Sequence, residues 1–239
     1  MEKGLFVMKT IGIIGAMENE IALLLEEMQN MQMIEKASMK FYKGEIAGKS
    51  VVVVRSGIGK VNAAVCAQIL ADDFGAEAII NTGIAGSLNK DINIGDLVLS
   101  TDVVHHDMDA AGFGYPVGQI PQMKEFAFPA DERLRELAKT VCADGSFEAK
   151  VFEGRIVSGD QFISSRESKE RIIQNVGGYA VEMEGAAIGQ AAYLNGIPFL
   201  IVRCISDKAD DSADMDYPVF EELAVKTGAK LTLGMIAKM

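Results

Sequence analysis

The sequence predicts an α/β fold, in which a layered sheet carries helices on both faces. Short apolar runs of strand length alternate along the chain with segments whose apolar residues recur at helical spacing. Repeated strand–loop–helix units of this kind are typical of layered α/β domains. Several predicted strands also run into glycine-rich or acidic turns. In open α/β sheets ligands bind outside the carboxyl ends of the strands, so we expect a site there.

The first half of the chain is rich in predicted strands. Residues 11–14 form an apolar strand that is followed by a helix over residues 19–31. Residues 41–46 and 50–55 form a strand pair that turns at Gly48, where a glycine permits a tight turn. Alanine, valine, isoleucine and leucine at helical spacing predict the next helix. That helix spans 61–74, and strands are predicted at 78–81 and 97–104.

The second half alternates helices and strands after a long irregular stretch. Residues 107–128 are rich in glycine, proline and aromatics, and loops of this length are usually functional or pack on a partner. Periodicity then predicts helices at 131–142, 165–175, 183–195 and 217–237. Strands are predicted at 151–158, 180–181 and 198–202.

Length and composition favour one domain. The chain has 239 residues and no proline-, serine- or glycine-rich linker, so we expect residues 1–8 to be a leader and 9–239 to be a single domain. No apolar run reaches transmembrane length. The three cysteines are widely separated, which favours a reducing compartment, the cytoplasm. The net charge of −11 disfavours nucleic acid and anionic membranes as partners.

Three glycine-rich segments, residues 12–17, 56–60 and 82–87, follow three predicted strands. Glycines let backbone N–H groups approach a ligand, although turn chemistry alone explains any single segment. Asn62 stands where the dinucleotide fingerprint requires glycine or alanine. Val61 follows Lys60 where the phosphate-binding loop requires serine or threonine. Neither a dinucleotide nor a triphosphate is therefore predicted.

The sequence offers no metal site or serine nucleophile. His105 and His106 are adjacent in an extended run, so they point to opposite faces of the strand. No third ligand follows at zinc-site spacing. No Gly-x-Ser-x-Gly elbow is present, which excludes that class of serine hydrolase. We predict neither a metal nor a cofactor.

Three carboxylates, Glu20, Glu184 and Asp207, lie at predicted strand-to-loop or strand-to-helix junctions. Helix capping and helix-end electrostatics would explain each one alone. Together, above one edge of a sheet, they would form an acidic pocket. Arg55 and Arg203 are the only arginines in these segments, so no cluster is expected to receive a phosphate. Such a pocket suits a neutral, polyhydroxylated, heterocyclic ligand.

The combination of seven motifs is more specific than any one of them. They are GIIGAMENE (12–20), SGIGKV (56–61), INTG (80–83), FGY (113–115), VSGDQFI (157–163), VEME (181–184) and RCISD (203–207). With these motifs the chain resembles the bacterial 5′-methylthioadenosine/S-adenosylhomocysteine nucleosidases of the purine nucleoside phosphorylase and uridine phosphorylase superfamily. The resemblance implies a three-layer α/β/α sandwich with a central mixed, twisted sheet. It also implies a homodimer without a cofactor.

The resemblance implies hydrolysis of the N-glycosidic bond of methylthioadenosine and S-adenosylhomocysteine, and also of 5′-deoxyadenosine. Asp207 would be the general acid at adenine N7, and Glu20 would activate water. Ile84 stands where many members have serine, which leaves the backbone amides of the next two residues available. The implied substrate contacts are Glu184 and Met183 at the ribose hydroxyls; Phe162 and Ile163 at adenine; Met17, Ile58 and Tyr217 at the ribose and alkylthio group; Ser206, Arg203, Ala85 and Gly86; and Phe113 and Pro121 from the neighbouring subunit.

Physical chemistry supports this chemistry independently of the resemblance. Cleavage at C1′ creates an oxocarbenium-like sugar, and adenine leaves better once a general acid has protonated it. A nucleoside phosphorylase remains an alternative, although Glu18 and Glu20 would repel phosphate, and Asn81 stands where phosphorolytic relatives carry arginine. An aminodeoxyfutalosine nucleosidase is a second alternative. A non-catalytic nucleoside-binding protein is a third, but it would not need Asp207 and Glu20.

Overall fold

The computed structural model describes residues 10–144 and 147–239. Within these ranges ten strands form one mixed sheet. They are β1 Ile11–Gly15, β2 Gln29–Lys36, β3 Met39–Ile46, β4 Lys49–Arg55, β5 Ala78–Ser87, β6 Leu97–His105, β7 Phe128–Pro129, β8 Val151–Ser158, β9 Ala180–Glu182 and β10 Phe199–Asp207. The α-helices are α1 Glu18–Glu26, α2 Lys60–Asp72, α3 Glu132–Cys142, α4 Arg166–Val176, α5 Gly185–Leu194 and α6 Ala213–Lys238. A short 3₁₀ helix spans Ala111–Phe113.

The strand order is β10-β6-β8-β9-β5-β1-β4-β3-β2, and β7 pairs with β6. β1 runs parallel to both β4 and β5. At one edge of the sheet β3 pairs antiparallel with β4, and β2 pairs antiparallel with β3. β10 also pairs in parallel with β5, which closes β5, β10, β6, β8 and β9 into a ring. The sequence did not predict this closure. The pairing of β5 with β10 brings the carboxyl ends of these two strands together.

Helices cover both faces of the sheet, as predicted. α1, α3 and α6 pack on one face, and α2 and α5 pack on the other. Strand β4 shows the division, because Val51 and Val53 face the first group of helices while Val52 and Val54 face the second. Strands buried on both faces read as continuous apolar runs, and β1, β5 and β10 are buried throughout. The α/β class and the mixed sheet between helices are confirmed.

The predicted helix over residues 19–31 is wrong in its second half. α1 ends at Glu26, and the chain continues as the edge strand β2. All eight residues of β2 are exposed, so no alternation of buried and exposed residues marks it as a strand. β2 turns into β3 through Ala37 and Ser38, both at positive φ, a two-residue turn that glycine and asparagine usually form. The strand and its turn therefore lack their usual sequence signals.

Two predicted strands are longer than their apolar runs. β5 continues to Ser87, so the glycine-rich segment 82–87 is strand and not a loop, and most of segment 12–17 belongs to β1. β10 continues past residue 202 to Asp207. The parallel ladder between β5 and β10 extends this far because Asp207 pairs opposite Gly86. Functional polar side chains therefore stand on the last residues of strands.

The remaining predicted elements agree with the structure to within a few residues at most ends. The last helix starts at Ala213 and not at residue 217. The predicted leader, residues 1–8, lies outside the described residues, and the single domain 9–239 stays a prediction. Among the helices that the structure describes, none is long and apolar enough to cross a membrane.

Candidate active site

A cavity of about 460 Å³ opens at the carboxyl ends of β1, β5 and β10. The three predicted carboxylates, Glu20, Glu184 and Asp207, all line it. The other lining residues are Ala16, Met17, Ile58, Ile84, Ala85, Gly86, Phe162, Val181, Glu182, Met183, Ser206 and Tyr217. The cavity therefore combines an acidic floor with mostly apolar walls, the composition expected of a small-molecule site.

Glu20 is held by backbone N–H groups in the first turn of α1. Its Oε2 accepts hydrogen bonds from Ala16 N at 2.6 Å and Met17 N at 3.0 Å, and its Oε1 accepts one from Ile84 N at 3.2 Å. Burial raises the pKa of Glu20 above its usual range, although Arg203 and the three N–H groups act in the opposite direction. Glu20 is thus a fixed carboxyl group that binds a proton more readily than an exposed glutamate does.

Arg203 lies behind the cavity and not on its wall. Its guanidinium donates a hydrogen bond to Asn81 Oδ1 at 2.7 Å and another to Glu182. Glu184 Oε2 is 3.7 Å from Arg203 Nη2. A charged side chain in the middle of a buried strand requires partners of this kind. Arg203 therefore acts as the common counter-charge of the acidic floor.

Glu182 is the anionic partner that the sequence analysis did not predict. Its Oε2 accepts hydrogen bonds from Glu184 N at 3.1 Å and Gly185 N at 2.8 Å, and Ser158 Oγ donates to its Oε1. Burial acts to raise the pKa of Glu182, but Arg203 and the hydrogen bonds hold it below the usual range. The sequence does carry a signal for such a partner, because an arginine next to an apolar strand implies a buried acid that pairs with it.

Glu184 lies at the start of α5 and faces the loop before α2. Its Oε1 accepts a hydrogen bond from Gly59 N at 2.8 Å. Burial, together with the negative charge of Glu182, raises the pKa of Glu184 to about 7. Glu184 consequently changes its charge near neutral pH, unlike an exposed glutamate.

Asp207 is the last residue of β10. Ser206 Oγ donates to its Oδ2 at 2.9 Å, and Ala209 N donates to its Oδ1 at 2.7 Å. Ala209 has a positive φ of 50°, so the chain turns sharply back over the carboxyl group. Burial raises the pKa of Asp207, and Asp216 and Asp210 add to the effect. A buried carboxyl with a raised pKa is suited to donating a proton.

The opposite wall is aromatic and partly open. The rings of Phe162 and Tyr217 meet edge to face, with centroids 5.9 Å apart. Tyr217 Oη contacts Met17 Sδ at 3.5 Å and Glu221 Oε1 at 3.3 Å. Phe162 remains 51% exposed. A planar ligand can therefore reach the face of the Phe162 ring.

Four predicted contact residues lie away from the cavity wall of this single chain. Ile163 packs in the core beside α4, and Arg203 lies behind the acidic floor. Phe113 is 86% exposed on the 3₁₀ helix, and Pro121 is half-buried in the same long loop. Within one chain the long loop therefore contributes nothing to the wall.

The described residues contain no group of three or more histidine, cysteine or carboxylate side chains that could hold a metal ion. His105 shares a hydrogen bond of 3.0 Å with Gln190 through Nε2. Burial lowers the pKa of both His105 and His106. These two histidines therefore belong to the packed interior.

Comparison with known proteins decides the family. The model of the phosphorylase superfamily matches residues 10–237. A 5′-methylthioadenosine/S-adenosylhomocysteine nucleosidase of Staphylococcus carnosus is 44% identical over 230 residues, which cover 96% of this chain and 100% of the relative. The chain belongs to the methylthioadenosine/S-adenosylhomocysteine nucleosidase family of this superfamily. The architecture of solved structures agrees with this assignment.

Two solved structures are similar to this nucleosidase-family chain over nearly its whole length. The nucleosidase of Neisseria meningitidis in complex with methylthio-immucillin-A has a TM-score of 0.93 and 42% identity, covering 97% of this chain and 100% of its own. The futalosine hydrolase of Helicobacter pylori has a TM-score of 0.92 and 36% identity, covering 97% and 99%.

Proposed function

We propose that this chain hydrolyses the N-glycosidic bond of 5′-methylthioadenosine and S-adenosylhomocysteine, releasing adenine and the 5′-thioribose, and that 5′-deoxyadenosine is also a substrate. The carrying observation is that Glu20 and Asp207, two buried carboxyls with raised pKa, line one cavity from different elements. Groups of this kind are candidates for acid–base catalysis. The names of the relatives support the choice of substrate.

Asp207 is the general acid in this proposal. Adenine is a poor leaving group as an anion, so protonation at N7 lowers the barrier to cleavage. Ser206 and Ala209 orient the carboxyl from both sides through their hydrogen bonds to its two oxygens. The raised pKa keeps the acid protonated at higher pH than an exposed aspartate.

Glu20 activates the water that attacks C1′. The N–H groups of Ala16 and Met17 hold one carboxylate oxygen, and this fixes the direction in which the carboxyl can accept the proton of water. The ionised acidic floor also stabilises the positive charge that develops on the ribose. Glu184 and Met183 bind the ribose hydroxyls, and a carboxylate is an effective acceptor for two neighbouring hydroxyls.

Phe162 stacks on adenine, and the backbone of Ile163 reads the edge of the base. Met17, Ile58 and Tyr217 form the apolar surface for the ribose and its 5′ substituent, which suits the thioether that methylthioadenosine and S-adenosylhomocysteine share. The N–H groups of Ala85 and Gly86 are a further part of the proposed site.

The proposal includes a homodimer in which Phe113 and Pro121 complete the neighbouring site. The exposed Phe113 is one supporting observation, because large exposed apolar side chains usually mark interfaces. A second is an apolar groove between α2 and α5, where Val61 and Leu194 are also exposed. A chain that carries both a protruding ring and an apolar groove is suited to a two-fold interface.

Phosphorolysis is the less favourable alternative. Asn81 occupies the position of the phosphate-binding arginine of phosphorolytic relatives, and it is engaged by Arg203 and by the carbonyl of Ile14 at 2.9 Å. The charge of Arg203 is matched by Glu182 and is not free for an anion. Glu20 would repel phosphate at the nucleophile position.

Cleavage of aminodeoxyfutalosine is the second candidate, favoured by the similarity to a futalosine hydrolase. This substrate class shares adenine and ribose with methylthioadenosine and differs at the 5′ position. The cytoplasm is the proposed location, which the three unpaired cysteines Cys66, Cys142 and Cys204 support.

One assay tests both proposals. Adenine release is measured on methylthioadenosine, S-adenosylhomocysteine, 5′-deoxyadenosine and aminodeoxyfutalosine, with and without phosphate. Free sugar as the product, at a rate independent of phosphate, is the expected result. A sugar 1-phosphate as the main product would assign the chain to the phosphorylases instead.

A further inference from the structure

Three segments that surround the candidate site are joined by a polar cluster that lies outside its wall. The cluster consists of Lys60, Asp107 and Asp160, and we call it the Asp107 junction; none of the three residues lines the cavity. Lys60 ends the loop of Ile58, and Asp160 precedes Phe162 by two residues. Asp107 begins the long loop that carries Phe113. One cluster thus links the ribose side, the base side and the proposed subunit loop.

The contacts of the junction connect these segments in pairs. Asp107 Oδ1 accepts a hydrogen bond from Lys60 Nζ at 2.6 Å, and Asp107 Oδ2 accepts one from Asp160 N at 3.0 Å. Asp160 Oδ1 in turn accepts a hydrogen bond from Lys60 N at 2.8 Å. The three residues therefore form a closed set of bonds, in which each residue contacts the other two. All three acceptor atoms are oxygens of the Asp107 and Asp160 carboxylates, and such charge-assisted bonds are the stronger ones.

The junction holds residues that face the substrate site. Gly59, next to Lys60, donates to Glu184, and a Cβ on Gly59 would lie 3.1 Å from Asp160 Oδ1. The two loops are therefore in close contact at this point. On the other side Gly159 packs so tightly against His106 that a Cβ there would overlap its ring. A change at the junction would consequently alter the separation of the Glu184 side and the Phe162 side.

Asp107 is well suited to hold this geometry. The Lys60 and Asp107 side chains are both largely buried, which shields the pair from solvent screening. Burial acts to raise the pKa of Asp107, but the Lys60 ammonium and the Asp160 N–H hold it below its usual range. The carboxylate is therefore ionised throughout the neutral range.

We propose that Asp107 is a positioning residue that sets the distance between the ribose-binding and base-binding loops and thereby determines affinity for the nucleoside. The inference rests on the proposed function, because it assigns Glu184 and Phe162 to opposite ends of one substrate. Asp107 touches neither the substrate nor the reacting atoms and acts through the backbone of two loops. A small displacement of binding groups weakens binding and orientation strongly.

Asp107→Asn and Lys60→Met test the junction from its two sides. Asp107→Asn keeps the shape of the side chain but removes its charge. Lys60→Met removes the ammonium group but keeps the main-chain N–H that donates to Asp160. Each should raise the KM for methylthioadenosine by about 10-fold, with kcat changed by less than about threefold, as expected for lost charged hydrogen bonds that support binding. The double variant should be little worse than either single variant, because both remove the same interaction.

Asp102→Asn is the matched control. Asp102 lies on β6, the strand that precedes Asp107, and pairs with Arg155 at 2.6 Å, with both side chains partly buried like those of the junction. The KM of this variant should stay within about twofold of the wild-type value, because the hydrogen bonds of Arg155 go to Asp102 and Val176 and not to the loop of Ile58 or the loop of Phe162. A Glu substitution, Asp107→Glu, retains the charge and should recover part of the affinity.

The outcomes separate the junction from the proposed function. Wild-type protein that releases no adenine overturns the function, and calorimetric titration with adenine then still compares the base affinity of wild type and variants. Wild-type protein that neither reacts with the nucleoside nor binds adenine overturns both. A KM within twofold of wild type in both variants overturns the junction. So does a fall in kcat with unchanged KM, since a folding defect lowers only the active fraction. If Asp107→Asn does not fold, Lys60→Met decides.

Discussion

Arg203 and Glu182 form an ion pair at the floor of the candidate active site, and the two side chains are only 2% and 3% exposed. Glu182 lines the cavity with Glu20, Glu184 and Asp207, and Arg203 lies behind it. Asn81 and Glu184 complete the surroundings of the guanidinium. A buried ion pair contributes little net stability, but the loss of one partner leaves an uncompensated charge. Its role is therefore to hold an acidic floor inside a folded protein.

Glu182→Gln should destabilise the protein by about 3–5 kcal/mol, because it leaves Arg203 without its closest anion. Chemical denaturation at pH 7 measures the free energy of unfolding. Glu222→Gln is the control: Glu222 forms an exposed pair with Lys226 at 2.6 Å, and its loss should leave the free energy of unfolding nearly unchanged. Equal losses in the two variants would show that the burial of the Arg203 pair has no energetic consequence.

Asp207→Asn should lower kcat by roughly 10²–10⁴-fold and leave the fold intact, because asparagine retains the shape but cannot protonate adenine. Wild-type activity should also decline as pH rises through the raised pKa of Asp207, and the variant should lack this alkaline limb. The rate of adenine release by the wild type and the variant, measured between pH 5 and pH 9, tests both expectations. Asp91→Asn, at an exposed aspartate, is the control. A near-normal rate in Asp207→Asn would leave Asp207 only its role as a turn residue.

Glu184→Gln should stabilise the protein at pH 8 but not at pH 5, even though it removes a ribose-binding group. A folded-state pKa of about 7 lies above that of an unfolded glutamate, so the folded state binds the extra proton and its stability falls as pH rises toward 7. The glutamine imitates the protonated form and avoids this loss, which is on the order of 3 kcal/mol at pH 8. Thermal unfolding at the two pH values checks the prediction. If Glu184→Gln is no more stable than the wild type at pH 8, the prediction is wrong.

Phe113→Ala should raise the KM for methylthioadenosine, because the variant removes apolar contact with the 5′ substituent in the neighbouring site. The increase should be smaller for adenosine, which lacks the methylthio group. Ile34→Ala, at an exposed apolar residue on β2, is the control. Mass and activity measured over a dilution series test the shared site directly. A fully active monomer would show that the long loop serves its own subunit.

The order of strands and helices was predictable because it depends on local periodicity. Apolar runs and helical spacing located nearly every element, including β8 over residues 151–158. Two strands were missed. β2 is exposed throughout and turns through Ala37 and Ser38, so neither burial nor turn chemistry marks it, and β7 has only two residues at the end of the irregular stretch. Acidic residues at the ends of buried segments likewise identified Glu20, Glu184 and Asp207.

The sequence by itself thus determined the α/β class and the carboxylates of the candidate site, since both follow from patterns within a few residues. Tertiary structure alone decided what lies behind and beside them. Arg203 meets Asn81 across 122 residues of sequence and Glu182 across 21, and Lys60 meets Asp160 across 100. No local pattern specifies such pairs, because the closure of β5 onto β10 and the crossing of loops bring them together. The burial of these carboxyl groups also depends on how all the segments pack together, and it shifts the pKa values on which the proposed chemistry depends.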